Sequence, residues 1–203
     1  IFKSWFVDFD GVTEFEDSEL GKIPKGWRIG KIKDVIKIFD GKRIPLSTME
    51  RENRKGNIPY YGATTIIDFI DNHIFDGKFL LLGEDGSVVH DDGTPFIQYV
   101  SGKFWVNNHA HVIQGKNSFN TEIIYLFFKN LNIHPWVTGA VQLKINQSNL
   151  LSIPIIIPNE NFLKKINQIT FPIFSNLLKN EKSISILTKT RDALLPKLMS
   201  GEI

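Results

Sequence analysis

The stretch Glu160–Met199, ENFLKKINQITFPIFSNLLKNEKSISILTKTRDALLPKLM, decides the fold. Leu163, Ile166, Thr170, Ile173, Leu177, Asn180, Ile184, Leu187, Arg191, Leu194 and Leu198 follow one another at alternating intervals of three and four residues. That alternation is the seam of a coiled coil, narrower than the apolar face of a helix docked on a core. Eight of the eleven positions are aliphatic. Asn180 falls near the middle of the seam and Arg191 towards its end. A lone polar residue on a seam costs stability but fixes register and partner. About 40 helical residues rise roughly 60 Å, more than a compact domain of this size needs. The reading is a long coiled-coil helix over residues 159–203, serving as a spacer or docking surface. Asn159 is its expected N-cap. Pro172, inside the seam, is expected to kink or divide it. Pro196 and Gly201 fall where a stop is expected.

Upstream, residues 1–158 read as a globular domain. Leu151–Pro158 is a buried strand whose Pro154 belongs at a sheet edge. Asn120–Asn130 reads as a helix with Ile123, Leu126 and Phe127 on its buried face. Lys78–Leu82 is a strand ended by Gly83-Glu84-Asp85-Gly86. Ser87–His90, Phe96–Val100, Lys103–Val106 and His109–Gln114 read as further short strands, the second and third broken apart at Ser101-Gly102. Arg28–Phe39 fits either a short helix or, from Val35, a strand. Ile1–Phe9 has the spacing of the last turns of a helix, Asp8–Glu19 reads as an exposed acidic connector, and Trp27 as a plug for a core. Ser47–Lys55 reads as an exposed loop or helical turn. The fold class is α+β, with a curled, mainly antiparallel sheet and a few helices.

The chain has 203 residues, 16 of them Phe, enough for a sizeable core. No apolar run approaches the roughly 18 residues of a membrane span. No signal peptide is evident. The absence of cysteine excludes disulfides and thiolate metal sites and fits the cytoplasm. The first residue is Ile1, not Met, which reads as a processed or truncated start. Net charge is +2 but uneven: residues 1–20 hold one Lys against six acids, and residues 21–56 hold eleven basic residues against four acids. A basic segment beside an acidic one suits a phosphate-facing side as well as an ordinary solvated surface.

No catalytic constellation emerges. His109 and His111, two apart, would share a strand face and form a possible metal edge, with Glu84, His90, Asp91 and Asp92 as further ligands. No HExxH or cysteine pair accompanies them, so they equally suit packing or a partner. Glu84-Asp85 before a glycine is the composition of a turn. No phosphate loop, dinucleotide fingerprint or nucleophile motif is present. Nucleic acid has the better case. Lys42, Arg43 and Lys55 suit phosphate, with Arg51 and Arg54 nearby. Asn107, Asn108, His109, Gln142, Lys144, Asn146 and Gln147 suit bases or grooves, since Asn and Gln bond adenine bidentately. Tyr60 and Tyr61 suit sugar or base.

At these residues the chain resembles one half of the specificity subunit of type I restriction-modification systems. The phrases are IFKSWFVDF (Ile1–Phe9), ELGKIPKGW (Glu19–Trp27), IPYYGAT (Ile58–Thr64), FLLLGEDGSV (Phe79–Val88), GKFWVNNHAHVI (Gly102–Ile113), GAVQLKINQSNLLSIPIIIP (Gly139–Pro158) and LTKTRDALLPKLMSGEI (Leu187–Ile203). No one phrase is specific; their order and spacing together are. The resemblance implies a target-recognition domain that binds double-stranded DNA without catalysis of its own. It implies methyltransferase subunits as partners and, through them, restriction subunits. S-adenosylmethionine and ATP would reside on those partners, with no cofactor or metal on this chain. Full subunits hold two such domains separated by two antiparallel helices. One domain and one complete helix imply a half-length subunit that self-associates, or a fragment of a longer one.

Two rivals remain from the residues alone. One is a coiled-coil oligomerisation or protein-interaction module without DNA specificity. The other is a metal-dependent hydrolase built on His109 and His111.

Overall fold

The computed structural model describes residues 2–202. Its centre is the apolar run Leu80–Leu82, three side chains with no exposure to solvent. Successive strand residues face opposite sides of a sheet. A strand buried at every position must therefore be covered on both faces.

In chain order the elements are α1 (Phe2–Phe6), β1 (Phe15–Ser18), β2 (Gly21–Pro24), β3 (Arg28–Lys31), β4 (Ile36–Ile38), α2 (Thr48–Glu52), β5 (Lys55–Tyr61), β6 (Ile66–Ile70), β7 (Phe75–Gly83), β8 (Ile97–Val106), β9 (Ala110–Gly115), α3 (Thr121–Phe128), α4 (Gln147–Ser152), β10 (Pro154–Ile157) and α5 (Glu160–Ser200). Short 3-10 turns occupy Ile32–Asp34, Asp40–Lys42 and His134–Trp136. Six strands form the main sheet in the order β4-β9-β7-β8-β5-β6. All its pairings are antiparallel except β5 with β8. β1 pairs with β2, and β3 with β10, in two separate antiparallel ribbons. The α+β class and curled sheet are as expected.

Leu80, Leu82 and Ile113 face a cluster with Ile123, Ile124 and Phe128 of α3, Leu150 of α4, and Leu163 and Ile166 of α5. Leu81 and Val112 face the other side, filled by Phe75, Phe79, Val100 and Phe104. The Phe75 and Phe104 rings stack with centroids 5.1 Å apart. Glu122 is the charged exception on the helical side. Its carboxylate accepts from Lys78 Nζ at 2.8 Å and Tyr99 Oη at 2.7 Å.

The structure corrects several readings of the sequence. Lys103–Val106 and the segment before it form one continuous strand, β8, across Ser101-Gly102. Gly102 (φ +91°) lies directly opposite Gly77 (φ +131°) on β7. Glycine on both strands lets the ladder continue through backbone angles that other residues resist. Ser87–His90 is a loop with an isolated bridge at Val89, not a strand. The acidic connector contains β1, whose pairing with β2 the turn at Ser18–Gly21 dictates. Arg28–Phe39 resolves as β3, a 3-10 turn and β4. Ser47–Lys55, by contrast, is the helical turn that was one of its two readings, the short helix α2 started by a capping box of Ser47 and Glu50. The buried face of α3 runs through Ile124 and Phe128, with Leu126 and Phe127 only partly covered.

Other expectations stand as read. The ladder with β3 opens at Pro154. Trp27 is buried, packed against Phe6 and Phe162. Phe2–Phe6 is helical, and Ile1 lies outside the described residues. Asn159 caps α5, accepting from Phe162 N at 2.9 Å.

The protein divides into two compact units, the first ending at Asn167 and the second beginning at Gln168. In the first, Leu163 and Ile166 are core residues, and Asn167 Nδ2 donates to the Ser118 carbonyl at 2.9 Å. The second carries the rest of α5. There Ile173, Leu177, Ile184, Leu187, Leu194 and Leu198 are all exposed, as is Asn180. The helix is not divided at Pro172, which lies inside it together with Pro196. A proline deprives a helix of one backbone donor, and the neighbouring turns retain theirs. No helix among the described residues is long and apolar enough to cross a membrane.

Candidate nucleic-acid interface

Four segments far apart in the chain meet where β7 ends and β9 begins. They are residues 40–43, 83–86, 107–111 and 138–146. β9 pairs with β7 antiparallel, which sets Ala110 opposite Gly83 and His111 opposite Leu82. The loop leaving β7 therefore adjoins the loop entering β9, and Glu84 N donates to the His109 carbonyl at 2.9 Å.

Arg43 holds this junction together. Its guanidinium donates to Glu84 Oε2 at 2.6 Å, to the Ala110 carbonyl at 2.7 Å and to the Asn108 carbonyl at 3.3 Å. Nε donates to the Asp40 carbonyl at 3.1 Å. The side chain is only 13% exposed. Arg43, expected from the sequence to face phosphate, is thus directed inward, towards acceptors of its own chain. A planar fork of donors suits such convergent carbonyl and carboxylate acceptors.

His111 is the second junction. Its Nδ1 lies 2.6 Å from Asp40 Oδ2, and its Nε2 donates to the Ile145 carbonyl at 2.8 Å. Asp40 Oδ1 in turn accepts from Val112 N at 2.9 Å. Asp40, Glu84 and His111 bring ligand-type atoms within 4.8 Å of one another. The Arg43 guanidinium stands against both carboxylates, so a side chain already supplies the cation that such a set attracts. His109 and His111 do not form a pair. His109 sits in the turn before β9, 48% exposed, with Nδ1 2.5 Å from Asp85 Oδ1. Strand alternation cannot align them, because β9 starts at Ala110.

The remaining candidates divide by position. Lys42 is exposed on the 3-10 turn, its Nζ 5.6 Å from the Phe39 ring. Asn108 is exposed, whereas Asn107 is buried and its Oδ1 accepts from His109 N at 2.9 Å. Gln142 and Lys144 are exposed on a small hairpin in which Thr138 and Lys144 exchange backbone hydrogen bonds of 2.8 and 2.7 Å. Asn146 caps α4, accepting from Asn149 N at 2.8 Å, and Gln147 is exposed on its first turn. Tyr61 reaches this end of the sheet, its carbonyl accepting from Asn107 N at 3.0 Å. Tyr60 is 1% exposed and its hydroxyl accepts from Leu46 N at 3.0 Å, so its ring belongs to the core. Lys55 lies on β5, paired through Asp68 at 2.8 and 2.9 Å. That ammonium, followed by the Phe69 backbone N–H, holds the Asp68 carboxyl below its ordinary range.

Asp40, Glu84 and His111 as a joint network were not visible in the sequence. The sequence does set Glu84 beside His111, but it misses Asp40 and pairs His111 with His109 instead.

Comparison with known proteins gives a consistent picture. A family model for the type I restriction modification DNA specificity domain matches residues 24–188. The MjaIX specificity subunit of a type I restriction enzyme from Methanocaldococcus jannaschii is 31% identical, across the whole of this chain and 51% of that protein. A putative type I restriction enzyme specificity subunit from Haemophilus influenzae is 38% identical over 127 residues, 63% of this chain and 32% of that protein. The crystal structure of a type I restriction-modification S subunit from M. genitalium superposes with a TM-score of 0.63 at 18% identity, covering 86% of this chain and 46% of that one. At that identity it shows the fold alone. The chain spans about half the length of the M. jannaschii relative, and the 127 residues it shares with the H. influenzae one cover about a third of that protein.

Proposed function

The chain belongs to the type I restriction-modification DNA specificity family, and from that premise we propose that it reads one half of a bipartite site in double-stranded DNA and carries methyltransferase subunits to it. The chain acts by binding, without catalysis or a cofactor of its own. Its methyltransferase partners use S-adenosylmethionine, and restriction subunits joined through them use ATP, all in the cytoplasm. The exposed seam of α5 serves self-association, so that paired copies read two inverted half-sites.

The observation that carries this reading is a gathering of exposed polar groups on adjoining loops. Lys42, Asn108, His109, Gln142 and Lys144 stand around one buried network. Recognition residues concentrate on loops held by a rigid scaffold. Lysines there meet phosphate, and amides meet base edges, each good bidentate pair giving about 1–3 kcal/mol of discrimination.

The test is selection from a pool of random duplex by the chain assembled with its methyltransferase subunits, followed by sequencing of the bound fraction. Enrichment of a split motif at physiological salt is expected. Equal recovery of all sequences overturns the proposal.

A further inference from the structure

We propose that Arg43 and His111 are positioning residues. Through Asp40 and Glu84 they set the pose of the Thr138–Lys144 hairpin, which presents Gln142 and Lys144 to the duplex. This rests on the reading of the chain as a DNA-recognition subunit.

The hairpin tip is free and its root is held. Ala140, Val141 and Gln142 at the tip are all exposed. At the root, Gly86 N donates to the Leu143 carbonyl at 3.0 Å, and Ile145 N donates to the Glu84 carbonyl at 2.9 Å. The third tie is the His111 ring, donating to the Ile145 carbonyl at 2.8 Å. Two of these ties engage residues whose side chains are themselves fixed by the network: Glu84 by Arg43, at 2.6 Å, and His111 by Asp40, at 2.6 Å. Asp85, between the two backbone ties, is fixed by His109 at 2.5 Å.

Ile145 also anchors the root by burial, with no exposure. Apolar packing fills space but is not directional. The guanidinium fork and the imidazole are directional, and a fully connected buried polar network selects one arrangement. A shift at the root displaces every group on the tip. An error of about 1 Å is enough to break a bidentate contact whose donors must lie within ~3.2 Å.

The experiment uses two variants in the assembled complex with methyltransferase subunits, on the duplex selected by the wild-type protein and on a scrambled version of it. Arg43→Lys keeps the charge and loses the fork. Gly139→Ala leaves the network intact. Its backbone (φ +92°) is one that side chains resist, and a Cβ there runs into the Gln142 carbonyl oxygen. Each variant is expected to reduce the ratio of selected to scrambled affinity about tenfold. The slope of log K against log salt should fall by no more than roughly one contact, that of Lys144 on the displaced hairpin, because the Lys42 contact remains. Mere loss of folded protein would lower both affinities together and leave the ratio intact. A wild-type ratio in Arg43→Lys overturns the proposal. If that variant does not fold, a wild-type ratio in Gly139→Ala overturns it. Failure of the wild-type protein to select any motif overturns the DNA-reading premise itself, before any variant is compared.

Discussion

Arg43 and Glu84 lie 41 residues apart in the chain and meet at 2.6 Å, with side chains 13% and 16% exposed. Removing one partner of a nearly buried pair leaves the other charge uncompensated. Arg43→Ala is therefore expected to lower stability by about 3–5 kcal/mol. The exposed pair Lys25 and Glu14, 67% and 70% exposed, is the control. Lys25→Ala should shift stability by less than about 1 kcal/mol. Urea unfolding of both variants checks this through the midpoint, provided the m-value is unchanged.

Glu122 gives the chain an acid-sensitive element. Burial pushes its pKa up, but the hydrogen bonds from Lys78 and Tyr99 outweigh burial, and the net pKa is lowered from the ordinary 4.5. A carboxylate whose folded pKa is depressed adds stability above its unfolded pKa. That stability disappears as pH falls through the folded value. Stability of the wild-type protein should thus decline from the ordinary glutamate range downward. Glu122→Gln should flatten this part of the decline. Urea midpoints across that acid range test it, and parallel curves for the two proteins would contradict it.

Gly102 should resist substitution for a conformational reason alone. Its φ is +91°, and a Cβ built there meets nothing within 4 Å. Gly102→Ala is expected to cost about 1–2 kcal/mol, the penalty of a left-handed backbone for a residue with a Cβ. The strand pair with Gly77 should survive. Unfolding midpoints together with amide protection along β8 report both effects.

Phosphate contacts are expected to differ among the candidate lysines. Lys42 and Lys144 are exposed, and Lys55 is held by both oxygens of Asp68. Lys42→Ala and Lys144→Ala should each reduce the slope of log K against log salt by roughly one contact. Lys55→Ala should change it less, since Asp68 already neutralises that ammonium. Equal slopes for all three variants and the wild-type protein would contradict this ranking.

Some elements were legible in the sequence because their signals are local. The period of α5, the Asn159 cap and the turn after Leu82 all depend on near neighbours. β8 was misread because Gly102 looks like a break in isolation, and only its partner Gly77 makes it a strand residue. The candidate site was legible as a set of loops but not as a network. Arg43 looks like a surface cation until Glu84 and the Ala110 carbonyl are brought to it by the pairing of β7 with β9. Likewise, Tyr60 has the composition of a stacking residue and the position of a core one. Long-range strand order, which no local pattern encodes, separates these cases.

The exposed seam of α5 leads to the last prediction. Ile184 and Leu187 are 63% and 67% exposed, a heavy exposure for aliphatic residues in line on one helix. If copies of the chain pair through this face, the mass in solution is near twice 23.2 kDa, and charges at Ile184 and Leu187 reduce it to the monomer. Asn180 then lies near the two-fold axis of an antiparallel pair. Buried there, its amide can be satisfied only by its counterpart in one register. Asn180→Leu should stabilise the pair while allowing registers that the amide excludes. The chain contains no cysteine, so single substitutions beside the seam, Glu181→Cys next to the axis and Thr188→Cys one heptad further, report register by disulfide crosslinking of each to its own counterpart. With Asn180 only the Glu181→Cys chain is expected to crosslink, and with Leu the Thr188→Cys chain as well. An unchanged register would remove this role from Asn180, and a monomer at every concentration would remove the seam's role in self-association.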